Sequence, residues 1–303
     1  IDLSVARVAE YHKKQMPANL NWKDDLGIEL GWVWKPIDRV GVYVPGGKAS
    51  YPSSAIMNIV PAMVAGVNDI VLASPSPNGY FNPLTLYASS IMNITKILRV
   101  GGAQAVAALA FGTETIEKVN KITGPGNEFV AEAKRQVFGR VGIDSVTGPS
   151  EVLLISDKTM PEKHAALDLL AQAEHDPAAQ SIAIVFSENY AKDLEVATNS
   201  LIKEMPRKKI IQESLSNRGA IICCANRREA AEIANRIAPE HLGLMIDNPY
   251  ELLDQIKNYG AVFVGNYSSE AMGDYVAGPS HVLPTSGSAR YSSPLGVYDF
   301  VKR

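Results

Sequence analysis

Two short motifs carry side chains whose types and spacing suit metal binding or proton transfer. Gln172 and His175 stand three residues apart at the end of a predicted helix, a spacing that places both on one face. Imidazole is a frequent zinc ligand and an amide oxygen is a rare one. Taken alone, the motif favours a histidine that interacts with the helix dipole over a metal ligand.

The second motif is the adjacent pair Glu240 and His241, between a predicted helix and an apolar strand-like run. The protonation of a carboxylate and of an imidazole is readily tuned towards neutral pH, so a pair at the start of a strand suits general acid–base catalysis. On the pair alone, a surface charge followed by a capping histidine is the favoured interpretation.

Further polar candidates lie near the end of the chain, where residues 266–303 are rich in Ser, Gly, Pro and Tyr. Asp274 supplies a carboxylate there, and His281 supplies another imidazole. By themselves these residues predict a loop. We expect this segment to cross the carboxyl edge of a sheet, where open α/β sheets bind ligands.

Three glycine-rich turns follow strand-like runs in the first half of the chain. They are Pro45-Gly46-Gly47, Gly101-Gly102-Ala103-Gln104 and Gly124-Pro125-Gly126-Asn127. The last two open predicted helices, whose N-terminal N–H groups attract phosphate. None of them matches G-x-G-x-x-G, and each turn alone reads as a chain reversal. Three in succession make a nucleotide site a comparably good interpretation.

The elements that position these motifs are strand-like runs that alternate with helices from residue 39 onwards. Such alternation, with helices of roughly 10–15 residues, indicates βαβ units. The predicted fold is therefore α/β, with two Rossmann-like βαβ domains and mostly parallel sheets. The predicted boundaries are residues 41–147 for the first domain and residues 1–40 with 148–303 for the second.

Composition excludes several classes of protein. The 303 residues are 46% hydrophobic and 20% charged with a formal net charge of −3, which indicates a globular protein and gives no basic excess for nucleic acid. No apolar run approaches the roughly 20 residues of a membrane span, and no signal peptide is recognisable. Cys223 and Cys224 are neighbours in an apolar run and are expected to be buried strand thiols. We expect a reducing, cytoplasmic compartment.

Taken together, the motifs closely resemble the histidinol dehydrogenase family. The resemblance extends through nearly the whole chain, and its segments are Val40-Gly41-Val42-Tyr43-Val44-Pro45-Gly46-Gly47, Val100-Gly101-Gly102-Ala103-Gln104-Ala105, Thr123-Gly124-Pro125-Gly126-Asn127, Gly148-Pro149-Ser150-Glu151-Val152-Leu153, Gln172-Ala173-Glu174-His175, Pro239-Glu240-His241-Leu242, Gly273-Asp274-Tyr275 and His281-Val282-Leu283-Pro284-Thr285.

The resemblance implies a set of site residues for NAD, zinc, substrate and acid–base chemistry. For NAD, in the first domain, they are Tyr43, Gln104 and Asn127. The implied ligands of one Zn²⁺ per subunit are Gln172, His175 and Asp274. Substrate would be held by these three together with Ser150, His281 and the acid–base pair Glu240 and His241. The implied reaction is the oxidation of L-histidinol to L-histidine through an aldehyde with two NAD⁺, the last step of histidine biosynthesis.

The family also implies a homodimer in which a C-terminal segment supplies one zinc ligand to the partner subunit. That segment and an N-terminal helical region are expected to be absent from this chain. Two alternatives stay open at this point. One is a relative that oxidises another small polar alcohol, such as a sulfonated diol. The other is a catalytically impaired fragment that binds metal or nucleotide.

Overall fold

The computed structural model describes residues 1–46, 51–146 and 148–303, except for the side chain of Asp274. Gly47 and Thr147, which belong to predicted turns, lie outside the described residues. The chain forms two compact units. The first comprises residues 1–146, 273–282 and 295–303, and the second comprises residues 147–272 and 283–294.

Helices and strands alternate along most of the chain. The α-helices are α1 (Asp2–Lys13), α2 (Pro52–Val64), α3 (Pro83–Ile91), α4 (Gly102–Phe111), α5 (Glu128–Val137), α6 (Glu162–Ala173), α7 (Glu188–Ile202), α8 (Lys208–Arg218), α9 (Arg227–Ile237), α10 (Pro249–Leu253) and α11 (Glu270–Tyr275). The strands are β1 (Leu20–Lys23), β2 (Glu29–Trp32), β3 (Lys35–Pro36), β4 (Arg39–Tyr43), β5 (Asp69–Ala73), β6 (Lys96–Leu98), β7 (Lys121–Thr123), β8 (Gly142–Ile143), β9 (Glu151–Ser156), β10 (Gln180–Val185), β11 (Gly219–Cys223), β12 (His241–Met245), β13 (Ala261–Val264) and β14 (Val301–Lys302). Short 3₁₀ turns lie at Pro77–Gly79, Ser288–Arg290 and Val297–Asp299.

The first unit is built on a five-stranded parallel sheet in the order β6-β5-β4-β7-β8. Successive side chains of a strand point to opposite faces, and both faces of this sheet are buried. Val40 and Val42 of β4 pack with α1, α2 and α3 on one face. Tyr43 packs with α4 and α5 on the other. Gly41 faces Leu109 of α4 at a distance that leaves no room for a larger side chain.

The second unit repeats this arrangement with the parallel order β11-β10-β9-β12-β13. Leu153 of β9 and Leu242 of β12 belong to a core cluster with α9 and α10. Leu154 of β9 and Met245 of β12 belong to the cluster on the opposite face, with α6 and α7. The α/β class with two mostly parallel sheets is therefore confirmed.

Residues 1–40 pack with the first unit, whereas the predicted division placed them in the second domain. Val8 of α1 is fully buried in the core of the first sheet, in the same cluster as Ile56 of α2. An amphipathic helix reveals in its sequence which face is apolar but not which sheet that face covers. The division by ligand, into an NAD domain and a zinc and substrate domain, stays a prediction.

The segment before β4 contains strands that the sequence did not predict. β1 and β2 form an antiparallel hairpin, in which the rings of Trp22 and Trp32 meet edge to face at 5.5 Å between centroids. Leu20-Asn21-Trp22-Lys23 of β1 alternates apolar and polar residues, but the run is only four residues long and all of its residues are exposed, so it gives only a weak signal for a strand.

Helix α8 was also not predicted. Its start coincides with the exposed basic run Arg207-Lys208-Lys209. Ile211 is buried against Leu170 and Ala173 of α6. The helix is therefore stabilised by tertiary packing of a narrow apolar face. A short, largely polar sequence gives little indication of such packing.

The two cysteines are free thiols at the end of β11, as expected, but they differ in burial. Cys224 is buried and Cys223 is exposed. The prediction that both are buried was wrong for Cys223, because adjacent residues of an extended chain point to opposite sides. Within the described ranges, none of the helices has both the length and the apolar character needed to cross a membrane.

His12 gives the first unit a sensitivity to acid. Its side chain is fully buried, and its Nδ1 lies 2.7 Å from the carbonyl oxygen of Val8. Burial lowers the pKa of His12 below the ordinary value of 6.5, against the smaller effects of backbone hydrogen bonds. Folding therefore favours the neutral imidazole. Its contribution to stability is present above about pH 6.5 and is lost as the pH falls towards the lowered pKa.

We expect His12→Asn to flatten this pH dependence, since an amide keeps a donor for the Val8 carbonyl and cannot be protonated. The melting temperature of the wild-type protein should fall more steeply between pH 7.5 and pH 5 than that of the variant. His164→Asn, a change at an exposed histidine of α6, is the control and should keep the wild-type slope. Parallel curves for the wild type and His12→Asn would contradict the assignment.

Candidate active site

The predicted NAD residues of the first unit lie at the carboxyl edge of its sheet. In this sheet β5 and then β6 lie on one side of β4, and β7 and then β8 lie on the other, so the strand order reverses between β4 and β7. Ligands of open α/β sheets bind in the crevice at such a point. Tyr43 ends β4, and the turn of residues 124–127 follows β7. Gln104 lies in the first turn of α4 and is exposed.

These residues are tied to helix N-termini. The hydroxyl oxygen of Tyr43 accepts a hydrogen bond from the backbone N–H of Gly102, at 3.1 Å, where α4 begins. The side chain of Asn127 accepts from the N–H of Val130 at 3.1 Å and so caps α5. The N-termini of α4 and α5 therefore lie at the same edge of the sheet as Tyr43, and helix N-termini favour anionic groups such as phosphates.

In the second unit, the acid–base candidates lie where α9 turns into β12. Ala238 ends α9 in the left-handed conformation with φ 53°, a region that non-glycine residues rarely adopt. Pro239 follows and fixes the backbone before Glu240 and His241. Their side chains are buried, with relative exposures of 6% and 5%. The interpretation of a surface charge beside a capping histidine was therefore wrong for this pair.

The backbone groups of one residue in the neighbouring strand, Glu151, hold both side chains. The N–H of Glu151 donates to Oε2 of Glu240 at 2.9 Å. The carbonyl oxygen of Glu151 lies 3.0 Å from Nδ1 of His241. Because β9 and β12 are paired in parallel, with Val152 opposite His241, the sheet register itself fixes this arrangement.

The contact with the carbonyl determines the tautomer of His241. A carbonyl oxygen can only accept, so Nδ1 carries the proton in this hydrogen bond. In the neutral ring Nε2 then carries the lone pair and is the nitrogen able to accept a proton. The pair thus presents a basic ring nitrogen beside a carboxylate that the backbone holds in place.

A second carboxylate near His241 was not recognised from the sequence. Oε1 of Glu270, at the start of α11, lies 3.6 Å from Nδ1 of His241, and Oε2 of Glu240 lies 3.8 Å from the same atom. Glu270 is 6% exposed. Carboxylates on this side of the ring favour the orientation with Nδ1 protonated and would stabilise a positive charge on the ring. The sequence shows only a glutamate in a polar segment, without a sign of its burial.

Glu151 also carries a buried carboxylate of its own. Burial raises the pKa of Glu151, and the guanidinium of Arg218, 3.6 Å away, acts in the opposite direction. The resemblance assigned no role to Glu151, although the residue belongs to one of its segments. Its contribution comes from backbone groups, which residue type does not reveal.

This pair lies at the amino edge of the second sheet. Glu151 and His241 are the first residues of β9 and β12. Ser150, a predicted substrate residue, immediately precedes β9, and its carbonyl oxygen accepts from the N–H of Gln180 at 2.9 Å. The acid–base pair and Ser150 therefore lie at the amino edge of their sheet, whereas the predicted NAD residues lie at the carboxyl edge of the first sheet.

Gln172 and His175 lie at the end of α6, ahead of β10 and thus at the same amino edge. α6 ends at Ala173, so His175 follows the helix, and its N–H donates to the carbonyl of Gln172 at 3.2 Å. The chain thus continues in a helical turn from Gln172 to His175, and the expectation that both residues share one face stays a prediction. His175 is exposed, and Gln172 is fully buried.

The surroundings of Gln172 fit a metal ligand. Among the described residues, neither Oε1 nor Nε2 of Gln172 has a hydrogen-bond partner. A buried amide without partners costs free energy, so such groups are rare and call for an explanation. Coordination by Oε1 would supply one partner. The described residues contain no group of three His, Cys, Asp or Glu side chains arranged for a metal ion.

The remaining predicted residues are Asp274 and His281, which belong to the first unit. The backbone of Asp274 is in α11, and its side chain lies outside the described residues. His281 is half-buried. Their roles stay predictions.

Comparison with known proteins identifies the family. The sequence profile described as Histidinol dehydrogenase matches residues 1–303. This chain belongs to the histidinol dehydrogenase family. A histidinol dehydrogenase from Neisseria meningitidis serogroup A is 55% identical over 303 residues, which are 100% of this chain and 71% of the relative. One from Nostoc is 50% identical over 100% of this chain and 70% of the relative.

A solved structure agrees with the family. The crystal structure of histidinol dehydrogenase from Elizabethkingia anophelis superimposes with a TM-score of 0.97 at 37% sequence identity. The match covers 100% of this chain and 70% of that chain. The resemblance seen in the sequence motifs is thereby confirmed, together with the fold.

Proposed function

We propose that this protein is an NAD-dependent oxidoreductase that converts L-histidinol to L-histidine in two oxidation steps with one zinc ion per subunit. Membership of the family supports the reaction. The assignment of the chemistry rests on one observation: the backbone N–H of Glu151 holds the side chain of Glu240, and its carbonyl oxygen holds the ring of His241. It provides two proton acceptors with separate orientations, and the two steps need two such groups.

In the first step, His241 is the base. The alcohol of the substrate loses its proton to Nε2 of His241 and a hydride from its carbon to NAD⁺, which leaves the aldehyde. The proton on Nδ1, held by the carbonyl of Glu151, keeps Nε2 in the accepting form. General-base catalysis of this kind contributes about 10²–10⁴-fold.

In the second step, Glu240 is the base. A water molecule adds to the aldehyde carbon and loses one proton to the carboxylate of Glu240, while the carbonyl oxygen takes the proton that His241 received in the first step. This gives the hydrate and returns His241 to its neutral form. The hydrate then loses a hydride to a second NAD⁺ and one hydroxyl proton to His241, which yields the carboxylic acid. The N–H of Glu151 holds the Glu240 carboxylate throughout.

Cofactor and metal are assigned to separate sets of residues. Zinc, when bound, would supply a fixed anchor for the substrate's imidazole and amine, and its ligands from this chain would be Gln172, His175 and Asp274. NAD would be held by Tyr43, Gln104 and Asn127, beside the helix N-termini at the carboxyl edge of the first sheet. Ser150 and His281 would contact substrate, in a homodimer whose partner adds a further zinc ligand.

The zinc assignment is tested by metal content. Gln172→Ala should lower the zinc bound per chain and the rate of NADH formation with L-histidinol, whereas the NADH affinity stays unchanged. Loss of even a hydrogen-bond partner of a ligand weakens metal binding about 10–100-fold, so removal of the ligand itself should lower the zinc content after dialysis against a chelator about 10-fold or more. Gln212→Ala, at an exposed position of α8, is the matched control. Wild-type zinc content in Gln172→Ala would remove Gln172 from the ligand set.

A further inference from the structure

A buried ion pair lies beneath the glycine-rich turn after β7. Lys134 of α5 and Asp144, which follows β8, form an ion pair with side-chain exposures of 1% and 3%. Lysine and aspartate are rarely buried to this degree unless they are paired. Neither residue belongs to the motifs that the proposed function uses.

The pair holds one residue of the turn by both of its backbone polar groups. Nζ of Lys134 donates to the carbonyl oxygen of Gly124 at 3.0 Å. The N–H of Gly124 donates to Oδ2 of Asp144 at 2.7 Å. The other carboxylate oxygen, Oδ1, takes part in the ion pair and accepts from the N–H of Ser145 at 2.7 Å.

Position 124 can hold only a glycine. Its φ is +114°, and a side chain there would overlap the backbone of Tyr43. The turn therefore presses against the end of β4 at the point where the strand order reverses. Three residues further on, Asn127 caps α5. Fixing Gly124 thus fixes the spacing between Tyr43 and Asn127.

Stability alone does not explain such a pair. Burying two charges costs about as much as their attraction returns, and apolar replacements of buried pairs are often neutral or stabilising. What the pair supplies is a fixed conformation for a turn whose N–H and carbonyl would otherwise be satisfied by water or by other geometries. A fixed turn lowers the cost of ordering when a ligand binds.

We propose that Lys134 and Asp144 are positioning residues for the dinucleotide. They hold the turn of residues 124–127 so that Tyr43 and Asn127 contact NAD at a fixed spacing. They act through Gly124 and do not touch the cofactor. The inference rests on the proposed NAD site at the carboxyl edge of the first sheet.

The test is NADH binding by a variant that removes both charges. Lys134→Met with Asp144→Asn leaves no uncompensated charge, and Asn keeps an oxygen acceptor for the N–H of Gly124. We expect the Kd for NADH, followed by its fluorescence, and the KM for NAD⁺ to rise about 10-fold or more, the effect of a lost hydrogen bond to a charged group. The KM for L-histidinol, kcat at saturating NAD⁺ and the zinc content should stay within about twofold of the wild type.

The control is the exposed ion pair on the same helix. Arg135 pairs with Glu132, and side-chain exposures are 61% and 48%. Arg135→Met should leave NADH binding unchanged, because this pair contacts no part of the turn. Lys134→Leu with Asp144→Asn is the second variant. It also leaves no unpaired buried charge and should weaken NADH binding in the same sense.

The outcomes separate this inference from the proposed function. An unchanged Kd for NADH in either variant overturns the inference alone. A parallel rise in the KM values for NAD⁺ and L-histidinol also overturns it, because a general structural defect would act on both. A wild-type protein that binds no NADH would overturn the proposed cofactor site and this inference with it.

Discussion

Replacing Glu240 by Gln should slow the second oxidation about 10²–10⁴-fold and leave the first hydride transfer close to its normal rate. The amide can still accept from the N–H of Glu151, whose distance to Oε2 of Glu240 is 2.9 Å, so the side chain should keep its place. It cannot accept a proton from water. The aldehyde should therefore accumulate, with one NADH formed rapidly per site.

A rapid-mixing experiment separates the two steps. With L-histidinol, the Glu240→Gln variant should give a burst of one NADH per site, followed by a slow phase. With L-histidinal as substrate, only the slow phase should appear. Glu251→Gln, at an exposed residue of α10, is the matched control and should behave as the wild type. Equal slowing of the first hydride transfer and of histidinal oxidation would contradict the assignment of Glu240.

The second large effect is expected for His241→Asn, which should slow both steps about 10²–10⁴-fold. The amide nitrogen of Asn can donate to the carbonyl of Glu151, as Nδ1 does in the wild type at 3.0 Å. No atom then takes the place of Nε2, so the alcohol and the hydrate both lack a proton acceptor. Single-turnover rates with L-histidinol and with L-histidinal measure the two steps.

This variant is distinguished from Glu240→Gln by its first step. The burst of NADH with L-histidinol should disappear in His241→Asn, while zinc content and NADH affinity stay at wild-type values. His164→Asn should keep the burst. A normal burst in His241→Asn would show that another group takes the alcohol proton, and the division of roles within the pair would fall.

Much of the fold could be predicted from the sequence because turn residues mark the ends of most strands. The predicted alternation of strands and helices from residue 39 onwards and the two mostly parallel sheets are both observed. Glycine and proline turns mark these boundaries, and buried parallel strands read as apolar runs. The hairpin of β1 and β2 was missed because its strands are only four residues long and mostly exposed, and helix α8 was missed because its apolar face is narrow.

The candidate site was predictable only in part, for a physical reason. The types and order of the residues indicated Glu240, His241 and Gln172 as candidate site residues, and they carried the resemblance to the histidinol dehydrogenase family. The carbonyl and N–H that hold the acid–base pair belong to the backbone of Glu151, and every residue type except proline offers the same two groups. The burial of Glu270 beside His241, and the pair of Lys134 with Asp144, depend on contacts between residues far apart in sequence.

The central claim is a four-electron oxidation at one site, and the ratio of NADH formed to L-histidinol consumed tests it most directly. The ratio should be two, with L-histidine as the only product, and the rate of NADH formation should fall towards zero when a chelator removes zinc and recover when zinc is restored. A ratio of one with release of L-histidinal, or full turnover after the metal is removed, would contradict the account.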